Sequence, residues 1–146
     1  MHALLIWEQQ FGPDYPLVAA SLGNLAELSW LQGNYAEAEP LYQRALHIYE
    51  QAFGPQHPDT AETMHDLARF HEAQGHNEEA RDWYARALAA REQALGAHHP
   101  KTTETRNRLI ALLRAMGQHQ EAAQLETAQS KQGTSEEERE PHPGPG

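Results

Sequence analysis

Ten histidines and twenty-one carboxylates are the side chains of this 146-residue chain with the most chemical potential. Histidines and acids converging at helical spacing would mean a metal centre, and a paired acid and base would mean hydrolysis. The nearest approach to a zinc motif is His71-Glu72-Ala73-Gln74-Gly75-His76. Zinc binding there needs two histidines four apart on one helical face. Here they stand five apart, with a helix-ending Gly75 between them. His98 and His99 are adjacent, so their side chains diverge, and no third ligand accompanies them. Ser21, Ser29, Ser130 and Ser135 have no base at a readable spacing and no nucleophile elbow. Glu78-Glu79 suits a helix start, where backbone N–H groups favour anions. The residue types thus predict no metal, no cofactor and no catalytic group; the chain reads as non-enzymatic.

Composition narrows the remaining classes. Twenty-one Asp and Glu against eleven Lys and Arg give a net charge of −10, which disfavours nucleic acid and anionic membranes as partners. The absence of cysteine removes disulfides and thiolate metal sites. The longest apolar run, Ala3 to Trp7, is far short of a membrane span, and no signal peptide precedes it. A cytoplasmic location is the expectation. One Val and three Ile beside twenty-three Ala favour helix over sheet.

The elements that would position any site come from an internal repeat. Phe11-Gly12-Pro13-Asp14-Tyr15-Pro16 returns as Phe53-Gly54-Pro55-Gln56-His57-Pro58 and as Leu95-Gly96-Ala97-His98-His99-Pro100, each time after 42 residues. Residues 17–58 and 59–100 share 17 identities in 42 without a gap, too many for coincidence. Each unit reads as two helices. In the first unit Leu22, Leu25, Ala26 and Leu28 recur at helical spacing until Gly33. Asn34 with Glu37 fits a capping box for the second helix, and Ala38, Leu41, Tyr42, Ala45, Leu46 and Tyr49 give its apolar face. Asp59, three residues before Glu62, fits a helix start in the next unit. Small Ala26, Ala38 and Ala45 allow close helix approach, with Tyr42 and Tyr84 filling the space between units.

The runs Asn-Leu-Ala-Glu-Leu, Gln-Gly-Asn-Tyr-Ala-Glu-Ala-Glu and Leu-Tyr-Gln-Arg-Ala-Leu resemble the tetratricopeptide repeat. The 42-residue period and the Phe-Gly-Pro-x-His-Pro linker resemble its kinesin-light-chain-like subclass. The resemblance covers roughly residues 1–130. It implies an all-α, right-handed α-solenoid of antiparallel helix pairs, whose first helices line a concave groove for a peptide or protein. The units fall at 17–58, 59–100 and 101–131, the last with a degenerate, polar capping helix. Residues 1–16 read as the second helix and linker of an incomplete repeat, whose exposed Leu4, Leu5 and Trp7 offer a surface for self-association. Residues 132–146 lack apolar side chains and read as a disordered tail.

In the family, the residue before the first-helix Leu and the one two after it commonly face the ligand. By the 42-residue shift the resemblance assigns Asn24, Asp66 and Arg108 to the former place, and Glu27, Arg69 and Ala111 to the latter. Trp30, Glu72 and Arg114 follow one turn later. An Asn there can bond a peptide backbone through its amide, and Arg69, Arg108 and Arg114 can fork onto a carboxylate. Residues 1–58 carry one base and six acids, whereas 101–130 carry four bases and three acids, so the acidic part of a ligand is expected near the third unit. Glu27 and Asp66 replace the base and Asn that a carboxylate clamp for chaperone tails would want. The expected function is binding of a peptide or protein partner in the groove; the alternative is an architectural or self-associating spacer.

Overall fold

The computed structural model describes residues 16–138, with side chains described as far as 128. Six helices follow one another: α1 Pro16–Leu31, α2 Tyr35–Phe53, α3 Pro58–Ala73, α4 Asn77–Leu95, α5 Pro100–Ala115 and α6 His119–Glu138. Their starts repeat the sequence period. Each helix packs on the next in the chain, and α1 also meets α3, so the pairs α1–α2, α3–α4 and α5–α6 stack as an α-solenoid.

Glycine ends the first helix of each pair. Gly33, Gly75 and Gly117 take φ of +88°, +79° and +80°, the left-handed conformation that a side chain disfavours. The expected capping box at Asn34 does not form: its side chain makes no cap hydrogen bond. Asn34 has ψ of 64°, outside the extended range that swings a cap side chain over the first turn. Its backbone N–H is engaged in closing α1, 2.8 Å from the Ser29 carbonyl. The first helices of the second and third pairs begin on histidine. His57 and His99 are extended N-cap residues whose Nδ1 accepts from the N–H of Asp59 and Lys101, both at 3.1 Å. Proline occupies the first turn behind each, where its missing N–H costs nothing. Asp59 is therefore inside α3, not at its cap.

Three apolar clusters run along the stack. Val18, Leu22 and Ile48 fill the first; Tyr42, Leu67 and Phe70 the second; Tyr84, Leu109 and Leu113 the third. A buried leucine such as Leu67 contributes about 2 kcal/mol. Ala26, Ala38 and Ala45 are fully enclosed, as small residues at close helix contacts must be. Leu28 departs from its expected place in the core and is 52 % exposed. Its copy Phe70 rests on Tyr35 and Tyr42 of α2, whereas no described helix lies on the corresponding side of α1.

The last helix continues to Glu138, beyond the expected end of the third unit at residue 131. Gln, Lys and Glu there are good helix formers, and the first proline comes only at Pro141. The rest of the expected tail, 139–146, and the incomplete repeat with Leu4, Leu5 and Trp7 lie outside the described residues. Among the described residues no helix is long and apolar enough to cross a membrane.

Candidate functional site

The first helices α1, α3 and α5 carry most of the residues singled out above, and two adjoining hollows bring most of them together. One, of about 570 Å³, lies between α1 and α3 and is lined by Asn24, Glu27, Asp59, Glu62, Asp66 and Arg69 among others. The other, of about 260 Å³, is lined by Trp30, Arg69, Glu72, Ala73, Tyr84 and Arg108. Arg69 is common to both. It pairs with Glu27 at 3.7 Å and Asp66 at 3.6 Å, and its guanidinium sits 5.9 Å from the centre of the Trp30 ring. Such half-exposed pairs contribute little stability, so Arg69 can exchange partners without large cost.

Asp66 is the most perturbed carboxyl here. Desolvation, then Glu62, push it up to about 7, with Arg69 acting against them and Glu27 adding to the rise. Its environment is thus rich in negative charge.

Positions 30, 72 and 114 are equivalent under the 42-residue shift, as are 42, 84 and 126. In the first unit the Trp30 indole N–H donates to the Tyr42 hydroxyl at 2.9 Å. Burial pushes the Tyr42 phenol well above its ordinary range, with the Trp30 hydrogen bond opposing. In the third unit Arg114 pairs with Glu126. In the second unit the pair is Glu72 and Tyr84, and it stays open: Glu72 Oε2 and the Tyr84 hydroxyl are buried without a hydrogen-bond partner. Arg108 acts on the Tyr84 hydroxyl through its charge and its hydrogen-bonding reach, both favouring the phenolate. Burial foremost, then Glu72, raise that phenol to about 12.

Arg114 does not join either hollow, because Glu126 of α6 holds it. The expected basic end of the groove is correspondingly quenched. Arg106 is buried, giving hydrogen bonds to the Ala97 carbonyl at 3.1 Å and Glu92 at 3.2 Å, and Arg108 pairs with Glu104 at 3.6 Å. A charge count along the chain could not see Glu92 and Glu126 reaching Arg106 and Arg114 from neighbouring helices.

Sequence reasoning also missed a buried polar junction between the second and third units. Arg91 Nη1 donates to Thr105 Oγ1 at 2.8 Å and to the Lys101 carbonyl at 3.0 Å, while His65 Nδ1 meets the same hydroxyl at 3.0 Å. The only signal was a set of polar residues at positions that hydrophobic periodicity assigns inward. His71, from the zinc-like run, is buried with Nε2 4.0 Å from Glu39. Among the described residues no three His, Asp or Glu side chains group to hold a metal.

Another hollow, of about 410 Å³, lies over Leu109, Leu113 and Leu125, rimmed by Arg81, Asp82 and Glu121. One repeat earlier the place of Leu125 is taken by Trp83, which packs into the core and carries Arg86 over its ring at 4.3 Å.

A model of the tetratricopeptide repeat matches residues 1–51, 18–93 and 69–127. The crystal structure of BtubC (BKLC) from P. vanneervenii superposes with a TM-score of 0.79 at 23% identity, covering 99% of this chain and 57% of that one. A Podosopora anserina putative kinesin light chain with nearly identical TPR-like repeats superposes with a TM-score of 0.79 at 24% identity, over 97% of this chain and 67% of that one. A crystal structure of a single-substitution variant of that protein gives 0.78 at 25% identity, over 92% and 63%. The chain therefore spans 57% to 67% of the length of these structures. No curated protein matches it.

Proposed function

From the premise that this chain belongs to the tetratricopeptide repeat family, with kinesin-light-chain-like units, we propose that its first-helix face is a groove that binds a peptide or protein segment. Repeats of this family generally mediate protein–protein interaction or scaffolding without catalysis. The observation that carries the reading is the pair of adjoining hollows meeting at Arg69, which makes a polar track from Asn24 on α1 to Arg108 on α5. A solenoid offers such a track to an extended chain, whose backbone can bond side-chain amides such as Asn24. Asn24, Glu27, Asp66 and Arg69 line the first hollow, and Trp30, Arg69 and Arg108 the second. Arg114 is outside both and serves the α5–α6 contact.

The test is a broad peptide array probed with the chain and with the triple variant Asn24→Ala, Arg69→Glu, Arg108→Glu. Selective binding that the variant loses is expected. Binding indifferent to the three changes, with mass rising with concentration, would transfer the function to an architectural or self-associating spacer in a cytoplasmic assembly.

A further inference from the structure

One register position decides whether the cleft beside the second helix of a unit is filled. Positions 41, 83 and 125 are equivalent under the 42-residue shift and hold Leu, Trp and Leu. In the second unit Trp83 packs against both adjoining core clusters, with the Arg86 guanidinium 4.3 Å from its ring centre. In the third unit the smaller Leu125 leaves the hollow of about 410 Å³ over Leu109 and Leu113. Positions 109, 113, 121 and 125 correspond to 25, 29, 37 and 41. Leu25, Ser29, Glu37 and Leu41 likewise line a hollow, of about 490 Å³, in the first unit. The cleft is open in both units that carry leucine at this position.

The third-unit hollow is the better enclosed of the two. Arg81 and Ala85 of α4 wall it, Leu109 and Leu113 of α5 floor it, and Leu125 of α6 closes the third side. Ala85 is exposed and Leu125 half-buried, so the apolar wall is open to an incoming group. The rim charges Arg81 and Asp82 pair with each other at 3.6 Å, and Arg81 also donates to Gln118 at 3.1 Å. They do not require a charged guest.

We infer that the hollow between α4 and α6 receives the indole of a tryptophan carried by a partner protein. The second unit supplies the template, because an indole is what this cleft holds when the chain fills it from within. The volume is in the range of sites that enclose a ligand group, and burying an aromatic ring against leucine and alanine is favourable. A partner protein is the source that suits a family whose repeats mediate protein–protein interaction. The seat is separate from the first-helix groove, since none of its lining residues lines either groove hollow. Its contacts are apolar, so added salt leaves the association nearly unchanged.

The experiment titrates N-acetyltryptophanamide into the whole chain carrying isotope-labelled leucine methyls, with N-acetylleucinamide and free indole as comparisons. The wild type is measured beside Leu125→Trp, which installs the residue that fills the cleft one unit earlier. Ala85→Glu is the second variant; it charges an exposed wall position and leaves the core intact. Circular dichroism checks the folding of each. The expected result is saturable shifts at Leu109, Leu113 and Leu125, at about millimolar for one unsupported side chain. Affinity should fall about tenfold or more in either variant and stay unchanged in Asn24→Ala, Arg69→Glu, Arg108→Glu. No shift at these methyls, or binding that survives both variants, would overturn the inference. N-acetylleucinamide binding as tightly would remove the preference for an indole. Free indole binding where the capped amino acid does not would make the hollow a small-molecule site instead. A concentration-dependent mass that Leu125→Trp abolishes would seat a second copy there. Each of these failures leaves the groove reading standing, because the groove substitutions are read separately.

Discussion

His65 on α3 and Thr105 on α5, forty positions apart, meet with Nδ1 and Oγ1 separated by 3.0 Å in the closed junction between the second and third units. The Thr105 hydroxyl gives its proton to the Lys101 carbonyl at 3.2 Å and accepts from Arg91. It therefore accepts from His65 as well, which fixes the neutral tautomer with the proton on Nδ1. Nε2 is left without a hydrogen bond, 3.7 Å from Glu104.

This junction makes the fold acid-sensitive. Burial, then Arg91 and two further arginines, lower His65 to about 3. A histidine with a depressed folded pKa stabilises fully above its unfolded value, near 6.5, and loses that contribution as pH falls below it. His65 should cost about 2 kcal/mol between pH 7 and pH 5. His65→Gln keeps an N–H for Thr105 and should flatten most of that slope in urea unfolding at the two pH values. His71, lowered by its burial, accounts for part of what remains. An unchanged slope in the variant would remove His65 as the source.

Asp66 acts in the opposite direction. Its folded pKa is raised to about 7 from 3.8, so the stability it permits is full at acid pH and is lost as pH rises through that interval. Asp66→Asn should raise the Tm at pH 8 and leave it nearly unchanged at pH 4, read by thermal circular dichroism. A variant less stable at pH 8 would show that the Arg69 contact outweighs desolvation.

Equivalent tyrosines should respond differently to the same change. Tyr42→Phe strands the Trp30 N–H and should cost about 1 kcal/mol. Tyr84→Phe removes a hydroxyl that has no partner and should cost nothing or stabilise slightly. Urea midpoints of the two variants decide it; equal losses would mean that the Tyr84 hydroxyl is satisfied in solution.

Leu125→Trp places on α6 the residue that α4 carries at Trp83. It should fill the hollow over Leu109 and Leu113 and stabilise the third unit by about 1 kcal/mol. A lower Tm would mean that the hollow cannot accept the larger ring without displacing α6.

The repeat, the six helices, the glycine stops and the two inter-unit tyrosines were legible because each depends on spacing within one or two helices. The contacts across helices were not. Trp30, Glu72 and Arg114 read alike along the chain as one ligand-facing row, yet Trp30 and Arg114 bond the residue twelve positions later on the returning helix and Glu72 does not. What that residue is decides whether the row closes or opens. The caps were misread for a different reason. Asn34 stands at the cap of α2 but makes no side-chain cap bond, and in α3 the cap is His57 and not Asp59; the ring nitrogens of His57 and His99 do that work one residue before a proline. The basic end vanished because Arg106 and Arg114 find their acids on other helices.

The helices begin at 16, 58 and 100 and again at 35, 77 and 119, so every joint of the array is the same joint. Gaining or losing 42 residues between corresponding points would break no cap and no glycine turn, and would bring like surfaces together. The number of units is thus the property this architecture leaves free to drift over evolutionary time. The Glu72–Tyr84 pair is not free in that way: it belongs to one unit, and duplicating either neighbour would lengthen the track by a closed pair instead.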